Sequence, residues 1–290
     1  MRILIAGGDG MLGHRLMQDL SVNHDVAVTL RRELAAYDEF AIFDSAGSYE
    51  LCDARDIGRF ADVIARFRPD AVVNAIGIVE QRDAAHDVEL SLEINALFPH
   101  RLARLCRDRG ARLVHISTDC VFSGEGGGYR EDDVADALDL YGQTKHLGEV
   151  AMPGSITLRT SIIGLELHRR TSLVEWYLSQ SGEIPGYTHA IFSGLTTFEL
   201  GRVIALIVER FADLHGIFHV ASRPISKYDL LKRLTAGLGR PELEIVPDAA
   251  VRCDRSLRDE RFRAATGYEA PAWGAMLHEL AGAIDTRDRS

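Results

Sequence analysis

Residues 2–16 read RILIAGGDGMLGHRL, and this stretch decides the fold of the 290-residue chain. Its apolar start is typical of a buried parallel strand. Three glycines then follow at a G-x-x-G-x-x-G spacing, and an amphipathic pattern predicts a helix from about Met11. Glycines permit a tight strand-to-helix turn and let the backbone approach a pyrophosphate, which the helix N-terminus faces. The stretch therefore favours a dinucleotide site over a plain turn. The expected contacts are Gly7, Gly10, Met11, Leu12 and Gly13.

The next strand ends indicate which dinucleotide binds. The second predicted strand, DVAVTL, ends in Arg31 and Arg32, and no acidic residue occurs before Glu33. An NAD site usually has a carboxylate here for the ribose 2′-hydroxyl, whereas arginine accommodates the 2′-phosphate of NADP. The pair favours NADP(H), with NAD(H) still open and a solvated charge pair as the alternative. Asp53, followed by Ala54 after another strand, could accept a hydrogen bond from the adenine amine or cap a helix.

The fourth predicted strand, PDAVVNAIG, precedes a helix over about residues 88–108. Ligands of parallel sheets lie across the carboxyl ends of the strands. The residues expected along the cofactor are therefore Ala75, Ile76 and Gly77. In the helix, Pro99 cannot donate to the carbonyl of Asn95, four residues earlier. That carbonyl could hold a water leading from Lys145, as a proton relay beside the cofactor; a simple kink is the alternative.

A threonine, a tyrosine and a lysine form the candidate catalytic set. The strand RLVHIS delivers the hydroxyl of Thr118 to its carboxyl end, and a helix then carries Tyr141 and Lys145. Residues four apart share one helix face, so an ammonium should lie beside a phenol. A phenol titrates near ~10 unperturbed, and an adjacent cation lowers that value by roughly one to three units. Such a phenol can protonate a developing alkoxide that Thr118 also hydrogen-bonds, as a carbonyl reductase requires.

The spacing of Tyr141 and Lys145 is not unique in the chain, because Tyr228 and Lys232 repeat it. This second pair follows RPIS at what is predicted to be an ordinary helix start. No strand end with a hydroxyl precedes it, so we interpret it as surface and packing. Thr118 and its strand are what distinguish the first pair.

Composition bounds the compartment and the partners. The formal net charge of −10 argues against nucleic acid and anionic membranes as partners. The four cysteines show neither a CxxC pair nor metal-ligand spacing, which indicates free thiols in a reducing compartment and no metal site. The N-terminal apolar run is too short for a signal peptide, and no run approaches the roughly 20 residues of a membrane span. We expect a cytoplasmic protein, with a homodimer open.

The alternation of strands and helices predicts an α/β, Rossmann-like doubly wound parallel sheet with a small C-terminal substrate-binding lobe. The NADP(H)-binding domain should comprise residues 1–163 and about 193–222. The substrate lobe should comprise about 164–192 and 223–290, with helices and one short strand, EIV, from Ile225 onward. Candidate partners for a substrate diphosphate, each of which could instead be a surface residue, are His168, Arg169, Arg170, Arg255 and Arg258.

Four segments together, GGDGMLGHRL, STDCVFSG, YGQTK and LRTSIIG, resemble the extended short-chain dehydrogenase/reductases. The likeness covers essentially the whole chain and is greatest to the branch of dTDP-4-dehydrorhamnose reductases. It implies NADPH-dependent reduction of a nucleotide-linked 4-keto-6-deoxyhexose, with Thr118, Tyr141 and Lys145 as the triad. Lys145 would also bind the nicotinamide ribose. Thr160 and Ser161 would face the carboxamide, and Arg159 would contact the substrate or be structural.

One position departs from that family, which usually has tyrosine where this chain has Cys120. Cysteine is smaller and a weaker donor, so the sugar should sit differently or be a different sugar. Related dehydratases carry an Asp–Glu pair after the threonine, whereas here Asp119 precedes Cys120, so the second carboxylate is missing. The alternatives are a nucleotide-sugar epimerase, a UDP-4-keto amino-sugar reductase and, from another class, an NADP-binding regulatory subunit.

Overall fold

A computed structural model describes residues 1–78, 87–168 and 170–289, which form twelve strands and ten helices. The strands are β1 (Arg2–Ala6), β2 (Asp25–Thr29), β3 (Ser48–Tyr49), β4 (Ala71–Asn74), β5 (Arg112–Ile116), β6 (Ser155–Arg159), β7 (Ile162–Ile163), β8 (Gly182–Phe192), β9 (Leu195–Thr196), β10 (Gly216–His219), β11 (Ile225–Ser226) and β12 (Leu243–Asp254). The helices are α1 (Met11–Leu20), α2 (Ile57–Phe67), α3 (Val88–Ser91), α4 (Phe98–Asp108), α5 (Leu140–Leu147), α6 (Leu173–Leu178), α7 (Thr197–Arg210), α8 (Lys227–Leu238), α9 (Glu260–Thr266) and α10 (Trp273–Arg289).

Seven strands form one parallel sheet in the order β10-β6-β5-β4-β1-β2-β3. Strand β1 is buried on both faces of the sheet, which explains its apolar run. Ile3 and Ile5 belong to one hydrophobic cluster with Leu16 of α1, whereas Leu4 and Ala6 face the other cluster. Successive strand side chains point to opposite faces, and helices cover both. The doubly wound fold is confirmed, with the order reversing between β1 and β4.

Beyond the large sheet, β11, β8 and β12 form a second sheet, with β8 parallel to β12 and antiparallel to β11. The expectation of one short strand from Ile225 onward was wrong, because β11 lies there as well and β12 extends over 12 residues. Strand β8, of 11 residues, was not predicted. Their patterns are interrupted by Pro185 and Pro247 and alternate only weakly between buried and exposed residues. Residues of both expected lobes share one hydrophobic cluster, so the division into lobes stays a prediction.

The helix expected over residues 88–108 is present but not regular. Between α3 and α4, residues Leu92–Leu97 form a π-helical turn, in which the N–H of Phe98 donates to the carbonyl of Glu93. Pro99 is the second residue after it and lacks the N–H that a regular helix would use. The sequence therefore located the irregularity, which widens the helix at Asn95. Within the three described segments, no helix combines the length and hydropathy that a membrane span requires.

The turn from β1 to α1 depends on two glycines. Gly7 has a φ of +90°, a backbone conformation that other residues rarely adopt. At Gly13, an added Cβ would lie 2.0 Å from the carbonyl oxygen of Gly7, so only glycine lets α1 pack this closely on the turn. Gly13 thus serves the close packing of α1 on the turn, and its contact with a cofactor stays a prediction.

We expect Gly13→Ala to lower the free energy of unfolding by about 1–3 kcal/mol, because backbone atoms must move to admit the methyl group. Gly282→Ala is the matched control, since it lies inside α10 with nothing within 4 Å of the added Cβ. That change should stabilise the protein by up to about 1 kcal/mol. Urea unfolding of both variants measures the difference. Equal stabilities would show that the turn relaxes freely.

Candidate active site

A cleft runs along the carboxyl ends of the parallel strands and consists of two adjoining cavities of about 240 and 290 Å³. We call them the outer half, lined by Asp9, Arg31 and Asp53, and the inner half, lined by Thr118 and Lys145. Both halves share the glycine turn and the loop after β4. The shared residues are Gly10, Met11, Ala75, Ile76, Gly77, Ile78 and Glu166.

The inner half contains all three members of the expected catalytic set, Thr118, Tyr141 and Lys145. Asp139 caps α5 by accepting a hydrogen bond from the N–H of Gly142 at 2.7 Å. The cap places Tyr141 in the first turn and Lys145 one turn later. Nζ of Lys145 donates to the carbonyl oxygen of Ile116 at 2.7 Å. Burial lowers the pKa of Lys145 to about 8, against the opposing charge of Glu149.

Thr118 lies two residues beyond the end of β5 and caps the short helical turn that follows. Its hydroxyl oxygen accepts from the N–H of Cys120 at 3.1 Å, and its O–H donates to Oδ1 of Asp119 at 3.3 Å. Burial raises the pKa of Asp119, while the positive charges of Lys227 and Arg255 oppose that shift. Cys120, where a tyrosine was expected from the resemblance, lines the cleft, and its Sγ accepts from Nη1 of Arg255 at 3.2 Å.

The outer half carries the residues expected at the adenosine end. Arg31 lines it, and Nε of Arg31 lies 3.9 Å from Oδ2 of Asp53. Asp53 also accepts from Arg55, and this hydrogen bond lowers the pKa of Asp53 to about 2. Ala54 lines the cavity beside it. Arg32 is not among the lining residues of the described chain; its backbone N–H donates to the hydroxyl of Tyr37.

Of the expected nicotinamide contacts, Thr160 and Ser161 line the inner half, as does Leu12. Asn95 lies behind the lining, 1% exposed. Its Oδ1 accepts from the N–H of Ile78 at 2.9 Å, and its Nδ2 donates to the carbonyl of Ile78 at 3.1 Å. The side chain thus holds the loop after β4, and the relay through the backbone carbonyl stays a prediction. Residues 79–86 of that loop lie outside the described chain.

Arg159, expected either to contact the substrate or to be structural, forms a buried ion pair. Its guanidinium forms two hydrogen bonds of 2.7 Å with Glu149, and the two side chains are only 3% and 2% exposed. Glu149 also accepts from Ser117 at 2.9 Å. Burial would raise the pKa of Glu149, but its hydrogen bonds with Arg159, His146 and Ser117 outweigh burial and lower it. Arg159 does not line the cleft, so its contacts oppose a direct role with substrate.

Two cleft residues escaped the sequence interpretation in different ways. Lys227 lines the inner half, although no role was assigned to it from the sequence. His168 was proposed for a substrate diphosphate but lines the outer half, with its ring against Phe40 and Tyr37. No local pattern marks either residue, because each reaches the cleft through the packing of distant segments. Of the other diphosphate candidates, Arg170 and Arg258 lie outside the cleft lining, and Arg169 lies outside the described residues.

The reversed strand order beside a glycine turn, and a cleft that unites threonine, tyrosine and lysine, define an extended short-chain dehydrogenase/reductase. Over residues 1–285 the chain matches the family described as RmlD substrate binding domain, and it belongs to that family.

Relatives of known name agree with this membership. The chain is 27% identical over 237 residues to the spore coat polysaccharide biosynthesis protein SpsK of Bacillus subtilis, covering 78% of this chain and 75% of that protein. It is 31% identical over 168 residues to dTDP-4-dehydrorhamnose reductase of Salmonella typhimurium, covering 56% and 51%. The crystal structure of dTDP-4-dehydrorhamnose reductase from Bacillus anthracis in complex with NADP superposes with a TM-score of 0.78 at 21% identity, covering 98% of this chain and 99% of that one. At that identity the superposition shows the fold.

We expect Glu149→Gln to lower the free energy of unfolding by about 3–5 kcal/mol, because it leaves the buried guanidinium of Arg159 without its counter-charge. Glu242→Gln is the control, since Glu242 pairs with Arg240 while its own side chain is 56% exposed. Exposed pairs contribute less than about 1 kcal/mol. Denaturant unfolding of the two variants measures the contrast. A small loss for both would mean that solvent reaches Arg159.

Proposed function

We propose that this protein is an NADPH-dependent reductase of a nucleotide-linked 4-keto-6-deoxyhexose, acting in deoxysugar or polysaccharide biosynthesis. The observation that carries the proposal is that Thr118, Tyr141 and Lys145 line one cavity that continues into the glycine turn. The relatives named dTDP-4-dehydrorhamnose reductase support the choice of substrate class. The missing second carboxylate after Asp119 supports reduction over elimination of water.

The residues of the cleft fit a nicotinamide dinucleotide. At Gly7 an added Cβ would lie 2.9 Å from Cγ1 of Ile76, which lines the cleft, so this position stays without a side chain. Gly10 precedes the first turn of α1, whose free N–H groups attract a pyrophosphate. Arg31 in the outer half favours the 2′-phosphate of NADP(H), and NAD(H) stays the second choice.

In the proposed reaction, the bound cofactor supplies the hydride for C4 of the sugar. Tyr141 donates its phenolic proton to the carbonyl oxygen, and the positive charge of Lys145 on the same helix face stabilises the phenolate that remains. Thr118 turns its hydroxyl from Asp119 toward that oxygen and stabilises the developing negative charge. The hydrogen bond from Lys145 to the carbonyl of Ile116 orients the ammonium for stabilising the phenolate and for binding the nicotinamide ribose.

The free thiols support a reducing, cytoplasmic location as part of the proposal, with a homodimer open. Three other functions lead to distinct results. An epimerase of the superfamily would retain nicotinamide on purification and would not consume added NADPH. A UDP-4-keto amino-sugar reductase would prefer that substrate. A regulatory subunit would oxidise no NADPH with any 4-keto sugar nucleotide yet bind a partner enzyme firmly; the complete triad argues against it.

We expect the purified protein to oxidise NADPH with dTDP-4-dehydrorhamnose, and Tyr141→Phe to lower kcat by about 10²–10⁴-fold, because it removes the proton donor. The Kd for NADPH should stay unchanged. Tyr228→Phe is the control, since Tyr228 does not line the cleft of the described chain. Absorbance at the NADPH band, with a panel of 4-keto sugar nucleotides, measures turnover. A fully active Tyr141→Phe enzyme would remove Tyr141 from the mechanism.

We expect Arg31→Ala to raise the Kd for NADPH by about 10–100-fold, because a charge-assisted hydrogen bond to the 2′-phosphate is lost. The Kd for NADH should change little, since NADH lacks that phosphate. Arg32→Ala is the matched control, because Arg32 lies next in sequence but outside the cleft lining. Fluorescence titration with both cofactors gives the four values. An equal loss for NADPH and NADH would contradict a phosphate-specific role.

A further inference from the structure

Lys227 is a partly buried cation in the wall of the inner half. It shares that wall with Thr118 and Asp119, and its Nζ lies 4.0 Å from the ring centroid of Phe192. Burial lowers the pKa of Lys227, and the negative charge of Asp119 only partly opposes the shift. Among the described residues, no carboxylate oxygen lies within 4.0 Å of this ammonium. The charge is thus held at the cleft without an ion-pair partner in contact.

The position of Lys227 in its helix makes this arrangement more costly. Lys227 is the first residue of α8, whose N-terminus is capped by Ser226, the acceptor for the N–H of Asp229 at 3.0 Å. A helix N-terminus carries partial positive charge and disfavours a cation. A partly buried charge without a contacting partner adds a further penalty. Local rules are broken in this way where a side chain serves function, and here the ammonium adjoins the cavity of the proposed reaction.

We propose that Lys227 is a substrate-binding residue that donates a hydrogen bond to an oxygen of the sugar next to the reacting carbonyl, and so selects the sugar. This inference rests on the proposed function. The sugar is favoured over the diphosphate because Lys227 shares the inner half with Thr118 and Tyr141, which would hold the carbonyl. Asp119 beside it offers an acceptor, so donor and acceptor together suit a hydroxylated ring. The small side chain of Cys120 leaves room at this wall.

The test is binding of dTDP-L-rhamnose and of dTDP to the NADP⁺-saturated protein, measured by titration calorimetry on wild type and Lys227→Met. Methionine keeps an unbranched side chain of similar length beside Phe192 and removes the charge. We expect the Kd for dTDP-L-rhamnose to rise about 10–100-fold and the Kd for dTDP to change less than about threefold. The Tm should stay equal or rise, because a partly buried cation has been removed. Lys232→Met, on the exposed side of the same helix, should alter none of these values.

Each contrary result overturns a defined part of the inference. An unchanged Kd for dTDP-L-rhamnose in Lys227→Met, with wild type active, removes Lys227 from the site and leaves the proposed function intact. Equal losses for dTDP-L-rhamnose and dTDP assign the ammonium to the diphosphate and overturn the sugar contact. A lowered Tm shows a structural role. If wild type neither binds dTDP-L-rhamnose nor oxidises NADPH with the 4-keto sugar, the proposed function fails, and the sugar assignment falls with it.

Discussion

The hydrogen bond from Nζ of Lys145 to the carbonyl of Ile116 joins helix α5 to the end of strand β5, and the geometry of the cleft depends on it. It fixes the ammonium relative to Thr118, two residues beyond Ile116. A second contact holds the same helix from behind, because Gly148 lies so close to Asn95 that an added Cβ would be 1.9 Å from the Asn95 carbonyl. Helix α5 is thereby held between the carboxyl end of β5 and the π-helical turn. Rigid support of this kind keeps the ammonium of Lys145 in one position relative to Thr118.

The elements that sequence predicted correctly are those whose determinants lie close together in the chain. The β1–turn–α1 unit is one continuous peptide, so its apolar run and its glycine spacing indicated the structure directly. Pro99 likewise marked the irregular turn at Asn95. Strand β8 was missed and β12 was predicted only in part, because each is stabilised by pairing with residues about 60 positions away in the chain rather than by its own pattern. With the partner strand so distant in sequence, neither segment alone shows a regular alternation of apolar and polar residues.

The site divides in the same way. Thr118, Tyr141 and Lys145 come from adjacent elements, and they line one cavity, as the sequence predicted. The role of Arg159 depended on Glu149, and nothing in the order of residues distinguishes an arginine that faces substrate from one that binds a buried carboxylate. Lys227 enters from the second sheet and α8, more than 80 residues after Lys145. The burial of Lys227 and its neighbours in the cleft result from tertiary packing, so its own segment of sequence does not indicate them.

The charge distribution follows from these placements. A net charge of −10 repels anions at long range, so an anionic dinucleotide or nucleotide sugar gains little from the protein as a whole. Favourable charge must then be local, and Arg31, Lys145 and Lys227 supply it along one cleft. Because salt screens exposed charges within about 8–10 Å, buried or cleft-bound cations keep their effect where surface ones lose it. The favourable charge is therefore placed residue by residue: Lys145 is buried and held by the carbonyl of Ile116, whereas Arg31 is 56% exposed and lies 3.9 Å from Asp53 at the cleft.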